Sequence, residues 1–373
     1  MNTALIPWRM IRKNYPVQVI LFVTAKCNFR CDMCFYWEST VTTPPSEEMS
    51  LEEFQKLSQT MKPFPWLLIG GGEPFIRRDL QEIVEAFILQ NRVRYVTIPT
   101  NAWHTERIVE SAERLCRNFP DVQLNIDLSF LGADGRHDSI CGVDGALTRL
   151  NQTYERLQPL RRQWPNLGLG AIFTMARQNQ DQAIATLQSL VREYRFDSIV
   201  LAKARGLPRV SDAVDIDVER YIEACDYVER LVRQGVLPGF PGFVGKMVQA
   251  KDVMVHRMIV DTARGRGQPI PCYAARLSVV ISETGIVRPC ELTDNILGDL
   301  RRTGMDFRAV WNSQSSREIR KRIRETQCNC THECFLTTNV LFNPKLLAKI
   351  AIRTGRRMLM TEHRSSLPAP TAH

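Results

Sequence analysis

The sequence predicts an α/β fold in which a parallel sheet presents chemistry at the C-terminal ends of its strands, followed by a small cysteine-rich β-hairpin and helix extension. Three observations predict it. Six short β-branched runs are separated by amphipathic stretches, a Gly- and Pro-rich break follows at about residue 236, and a strand, turn and strand pattern lies between two cysteines near the end.

Taken in order, strands are expected at 17–24, 66–70, 94–98, 122–129, 168–174 and 197–203, each a short run rich in Val, Ile, Leu or Thr. Between them, apolar residues recur at helical spacing over 51–62, 78–91, 104–118, 145–162 and 180–194, and again over 213–235. Right-handed crossovers would either curl six such units into an open barrel or wind them as a doubly wound sheet. The segment "GVLPGFPGF" reads as a linker and 244–264 as a helix. "RLSVVI", "SETG" and "IVRP" then read as a hairpin with Cys272 before it and Cys290 at its end, and a basic helix near 314–325 precedes "CNCTHEC".

At 373 residues and 44% apolar composition the chain can bury one large core, with or without an appendage. Eleven cysteines are too few for a disulfide scaffold, and their clustering suits a reducing, cytoplasmic setting in which thiols bind metal. Arg9, Arg12 and Lys13 before "VQVILFV" imitate a signal peptide, but the run is short and "TAKC" offers no cleavage site. No stretch reaches the length of a membrane span. The net charge of +9 gathers in the last third: 301–324 carries eight Lys or Arg and 345–364 carries six. Such a patch suits a solvated helix face or an anionic partner.

Residues 26–37, "KCNFRCDMCFYW", place Cys27, Cys31 and Cys34 on one loop directly after the first strand. A cubane of four irons normally takes four thiolates, so three leave one iron open to a cofactor or substrate. Structural zinc would want a fourth ligand. Cys116 and Cys225, on amphipathic stretches, read as core residues.

"CNFRCDMC" resembles the CxxxCxxC motif of the radical S-adenosylmethionine (radical SAM) enzymes. "IGGGEPF" is similar to that family's GGEP motif, which implies that Gly71, Gly72, Glu73 and Pro74 receive the methionine amino group. "TIPTNA" resembles the third-strand motif ending in Thr100 and Asn101, and Ser129 stands where a hydroxyl contacts the cofactor, with His137 and Asp138 in the following loop. Met33 occupies a commonly aromatic position near the adenine, so Phe35, Tyr36 or Trp37 could serve instead. Cys141 stands where many relatives carry Arg and reads as a neutral loop thiol. The resemblance implies a partial (β/α)6 TIM-type barrel, S-adenosylmethionine as cofactor, and a reducing partner such as flavodoxin or ferredoxin.

Cys272, Cys290, Cys328, Cys330 and Cys334 resemble the SPASM and twitch extensions, which hold auxiliary iron-sulfur clusters. Two thiolate-bound cubanes would require eight cysteines, so these five imply one auxiliary cluster bound by four of them, although zinc would suit the same set. The expected division is 1–16 lead-in, 17–236 barrel, 237–271 linker and helix, 272–335 auxiliary domain and 336–373 basic tail. In the expected reaction a reduced cluster cleaves S-adenosylmethionine, and the 5'-deoxyadenosyl radical abstracts hydrogen from a substrate C–H bond. Substrate-facing candidates are Asn125, Asp127, Thr174, Lys203 and Arg205. A small sugar-like or phosphorylated metabolite is the first choice of substrate. A ribosomally made peptide comes second, because only 16 residues precede the first strand, and a nucleic-acid or membrane-surface binder with structural clusters is a third reading.

Overall fold

The computed structural model describes residues 13–237, 242–268, 270–352 and 354. The start of the expected lead-in, part of "GVLPGFPGF", and the basic residues Arg353, Arg356, Arg357 and Arg364 lie outside the described residues.

The barrel half runs β1 (Gln18–Thr24), α1 (Trp37–Thr42), α2 (Leu51–Thr60), β2 (Trp66–Gly71), α3 (Leu80–Asn91), β3 (Tyr95–Thr100), α4 (Thr105–Asn118), β4 (Gln123–Phe130), α5 (Arg136–Cys141), α6 (Ala146–Gln163), β5 (Leu167–Met175), α7 (Ala183–Glu193), β6 (Ser198–Lys203) and α8 (Val218–Gln234). After it come α9 (Gly242–Ala263), the short strands β7 (Ser278–Ile281), β8 (Ile286–Arg288) and β9 (Gly298–Asp299), then α10 (Phe307–Trp311), α11 (Gln314–Glu325) and α12 (Glu333–Leu341). All six expected barrel strands are present within two residues of their expected ends.

Local chemistry sets several boundaries. Ser50 and Glu53 close a reciprocal capping box at the start of α2, at 3.2 and 2.8 Å. Asp217 accepts from Glu219 N at 2.9 Å and starts α8 five residues later than its apolar pattern suggested, and Gly235 ends it at φ +75°.

The strand order is β6-β5-β4-β3-β2-β1-β7-β8-β9, with β1 to β6 all parallel. Sequential order without a reversal is that of a curled, partial barrel and excludes the doubly wound alternative, whose order switches direction. The hairpin is no separate sheet. Its first strand pairs in parallel with β1, Gln18 opposite Ser278, and β8 and β9 follow antiparallel.

Alternation along the strands separates two faces. Val19, Leu21 and Val23 join the main core against the helices, while Ile20 and Phe22 face the other way and pack with Ala274, Val280 and Phe335. The concave face of the barrel is thereby continuous with the wall of the second cysteine set.

Candidate active site

Cys27, Cys31 and Cys34 sit on the loop after β1, and the loop is clamped from two sides. Arg30 N donates to Cys141 O at 2.9 Å and Asp32 N to Ile140 O at 3.1 Å, while Arg209 N donates to Cys34 O at 3.1 Å and Val210 N to Asp32 O at 2.9 Å. Asp32 and Arg209 add an ion pair. Phe29 is buried and anchors the loop, leaving the three thiols half-buried. Burial pushes Cys27 up to about 12 and Cys34 up to about 11, and each is raised further by the neighbouring motif thiols. Cys31 is raised chiefly by a hydrogen bond with the thiol of Cys141, itself fully buried. Three half-buried thiols on one clamped loop suit a cluster that leaves one iron open, and loading it must displace their protons and free Cys31 from Cys141.

The glycine loop lies directly on this one. Gly71 adopts φ +113°, and a Cβ there would stand 2.2 Å from Thr24 O; at Gly72 it would stand 2.0 Å from Lys26 O. Gly72 N donates to Thr24 O and Glu73 N to Lys26 O, both at 2.8 Å. The Glu73 side chain then turns inward. It is 2% exposed and accepts from Phe75 N at 3.1 Å, Thr100 Oγ1 at 2.8 Å and Asn101 N at 2.8 Å. Burial outweighs these bonds and pushes the carboxyl up to about 7. Its structural work is therefore to fix the end of β3, while Asn101 reaches on to Asn28 Oδ1 in the cysteine loop at 2.9 Å. His137 accepts from Leu131 N at 3.1 Å, and Asp138 from Gly145 N at 2.6 Å and Leu147 N at 2.8 Å, so both hold the loop after β4.

The second cysteine set gathers where β7 and β8 meet the lead into α12. Cys272 and Cys328 share a hydrogen bond, which holds the Cys328 thiol down. Cys330 lies close enough to raise Cys290 and Cys272 and is itself raised by Cys328. Cys334 stands in the first turn of α12, so "CNCTHEC" does not fold as one knot; with Cys272 and Cys290 it packs on the apolar wall of Ile20, Phe22 and Val280. Its other neighbours are charged: Glu333, Arg205 and Glu291. His332 is fully buried, with Nε2 2.5 Å from Glu291 Oε1.

Residues 21–147 match the Radical SAM superfamily and residues 272–335 the iron-sulfur cluster-binding domain called SPASM. The chain belongs to the radical SAM superfamily. Its cofactors are a [4Fe-4S] cluster and S-adenosylmethionine, and its second cysteine set belongs to a SPASM segment. Among curated relatives it is 27% identical over 233 residues to the Fe-coproporphyrin III synthase of Methanosarcina barkeri, covering 61% of this chain and 54% of that one. It is 29% identical over 239 residues to the pre-heme d1 synthase of Dinoroseobacter shibae, covering 59% and 54%. The chain thus spans about half the length of these relatives. In fold it is similar to Streptococcus suis SuiB, with TM-score 0.56 at 14% identity over 83% of this chain and 68% of that one. It is also similar to anSMEcpe with bound AdoMet and a Cp18Cys peptide, with TM-score 0.55 at 16% identity over 86% and 85%.

Within this radical SAM barrel the expected substrate-facing residues divide. Asn125, Asp127 and Ser129 alternate along β4 on the face opposite Ile126 and Leu128, which are core. Asn125 and Asp127 lie across Gly168 and Gly170 of β5, where a Cβ would stand 2.3 Å from Asn125 Oδ1 and 2.2 Å from Asp127 Oδ1. Thr174 is half-buried on the same side of β5. Asp127 is 9% exposed, and its carboxyl, pushed up to about 7 by burial and then by Asp197, meets no donor among the described residues.

Three of the expected residues are placed away from that face or already engaged. Lys203 shares the strand parity of Ile199 and Leu201, the helix side, and its Nζ donates to Val214 O at 3.1 Å. Arg205 is engaged by Glu291 and Glu333 rather than left for a substrate. Met33 is buried in the main core, whereas Phe35 remains half-buried beside the Arg205 guanidinium. Sequence reading missed Asn28 and Asp32, whose only signal was their place between the motif cysteines.

Proposed function

We propose that this radical SAM enzyme abstracts hydrogen from a C–H bond of a small, hydroxyl-bearing metabolite held in the concave face of the barrel, as one step of an oxidation or rearrangement. When bound, the reduced cluster and S-adenosylmethionine supply the 5'-deoxyadenosyl radical for that step. Cys27, Cys31 and Cys34 would hold the cluster. The Gly71–Gly72 backbone, Pro74, Thr100, Asn101, Ser129 and Phe35 would line the cofactor, with Glu73 bracing them from behind.

One observation carries the substrate class. Asp127 is a buried carboxyl on the concave face that meets no donor among the described residues, so a bound molecule that supplies hydroxyl protons would satisfy it. The described strand residues on that face of β2 to β6 include no Lys or Arg, which favours a sugar-like substrate over a phosphorylated one. The same lack of cations gives no support to a substrate like those of the relatives named Fe-coproporphyrin III synthase and pre-heme d1 synthase.

Residues 17–236 act as the barrel and 272–335 as an auxiliary domain with one cluster held by four of its five cysteines. A flavodoxin or ferredoxin in the cytoplasm supplies electrons, and the basic C-terminal third is a solvated face or a contact for an anionic partner. No helix among the described residues is long and apolar enough to cross a membrane. The test is substrate-dependent formation of 5'-deoxyadenosine by the anaerobically reconstituted, reduced protein, with polyols, sugars and peptides offered separately. Stimulation by peptides alone, with Asp127→Asn without effect, would overturn the sugar-like reading.

A further inference from the structure

Arg205 joins three residues that each neighbour a cysteine. Nη1 donates to both oxygens of Glu333, at 3.0 and 2.9 Å, and Glu333 immediately precedes Cys334. Nη2 donates to Glu291 Oε1 at 3.2 Å, and Glu291 immediately follows Cys290. The guanidinium lies over the ring of Phe35, 5.5 Å from its centre, and Phe35 immediately follows Cys34. Gly206, at φ +71°, lets the backbone turn tightly against that ring, since a Cβ there would stand 3.1 Å from Phe35 Cβ. The side chain is 14% exposed and its two carboxylate partners 7% and 15%.

Two carboxylates face one guanidinium, and the buried Lys251 ammonium that also acts on Cys334 is itself paired with Asp252, so the charged groups beside the second cysteine set carry an excess negative charge. Fixed charges at this range act through little water, so they are weakly screened. The reduced form of a cluster carries one more negative charge than the oxidised form. A nearby cation therefore favours reduction and a nearby carboxylate opposes it. Arg is the suitable cation, because it stays charged when buried and its fork meets two carboxylates at once.

We propose that Arg205, Glu291 and Glu333 form a charge triad that sets the reduction potential of the auxiliary cluster, with Arg205 the positioning residue that holds both carboxylates beside it. This rests on the reading of the second cysteine set as one auxiliary cluster. The excess negative charge would hold that cluster at a low potential, which a strongly reducing substrate-derived radical can still reduce by giving up one electron, with the proton passing to solvent or a nearby base.

The test uses the full chain carrying Cys27→Ala, Cys31→Ala and Cys34→Ala, so that only the auxiliary cluster contributes to a potentiometric titration followed by electron paramagnetic resonance. In that background Glu333→Gln removes a negative charge and should ease reduction about tenfold or more, an upward shift of about 59 mV for one electron. Arg205→Met should shift the potential downward, and Arg205→Lys, which keeps the charge, should return it most of the way. If Arg205→Met fails to hold iron, the sign of the Glu333→Gln shift decides alone. Unchanged potentials at intact iron content, or shifts of the same sign in Glu333→Gln and Arg205→Met, would overturn the proposal and leave the auxiliary cluster standing. A parent chain without iron would remove the cluster reading itself, and the triad's role with it.

Discussion

Thr100 Oγ1 donates to Glu73 Oε1 at 2.8 Å, joining the end of β3 to the glycine-rich loop after β2 inside the protein. With Asn101 N on the other carboxylate oxygen and Asn101 Nδ2 on Asn28, three consecutive loops at the C-terminal ends of the strands become one unit. The joint between these loops thereby depends on the Glu73 carboxyl.

Glu73→Gln should consequently lower stability before it changes anything else. An amide can replace only one of the two acceptor oxygens, and its NH2 would face a backbone donor. The expected loss is about 1–3 kcal/mol in urea unfolding of the cluster-free chain. Full stability with weakened S-adenosylmethionine affinity would instead assign the carboxylate to the cofactor.

Gly72→Ala should be far more harmful than Gly168→Ala. At Gly72 the new Cβ meets the Lys26 carbonyl at 2.0 Å and Ala25 O at 2.6 Å, both backbone atoms of the cysteine loop. At Gly168 the nearest obstacle is the end of the Asn125 side chain at 2.3 Å, which can swing aside. We expect a loss of about 1–3 kcal/mol or more at Gly72, with reduced iron loading, and a smaller one at Gly168. Equal thermal shifts for the two variants would contradict the geometry.

Asp127 gives the protein a pH dependence of defined sign. Its folded-state value, raised to about 7, lies above the ordinary aspartate value, so between about 4 and 7 the folded chain holds a proton that the unfolded chain has lost. Its contribution is complete below about 4 and disappears as pH rises through about 7, with a slope of at most about 1.4 kcal/mol per pH unit. Asp127→Asn should flatten that fall in a series of urea titrations across the window. An unchanged slope would place the carboxyl in a wetter site than its burial indicates.

Iron analysis checks the division of the thiols. The chain carrying Cys27→Ala, Cys31→Ala and Cys34→Ala should retain about four irons, as expected for one cubane, and should lose all cleavage of S-adenosylmethionine. Zinc in place of that iron would make the second set structural.

Much of this was legible in the amino-acid order alone. The β/α alternation, the three thiols after β1, the glycines of "GGGEP" and the cysteine-framed hairpin are set by periodicity and by spacing within a few residues, and short-range sterics enforce them locally. Tertiary structure decided the rest, because it turns on which distant segments meet. Sequential strand order chose the curled barrel over the doubly wound sheet, and β7 joined the barrel sheet only because its edge found β1. One step of strand parity sent Lys203 to the helix side while Asp127 stayed on the concave face. Arg205 looked free in the sequence because its partner Glu333 lies 128 positions away. A buried charge takes its role from whatever counter-charge the fold brings to it, and no local pattern records that partner.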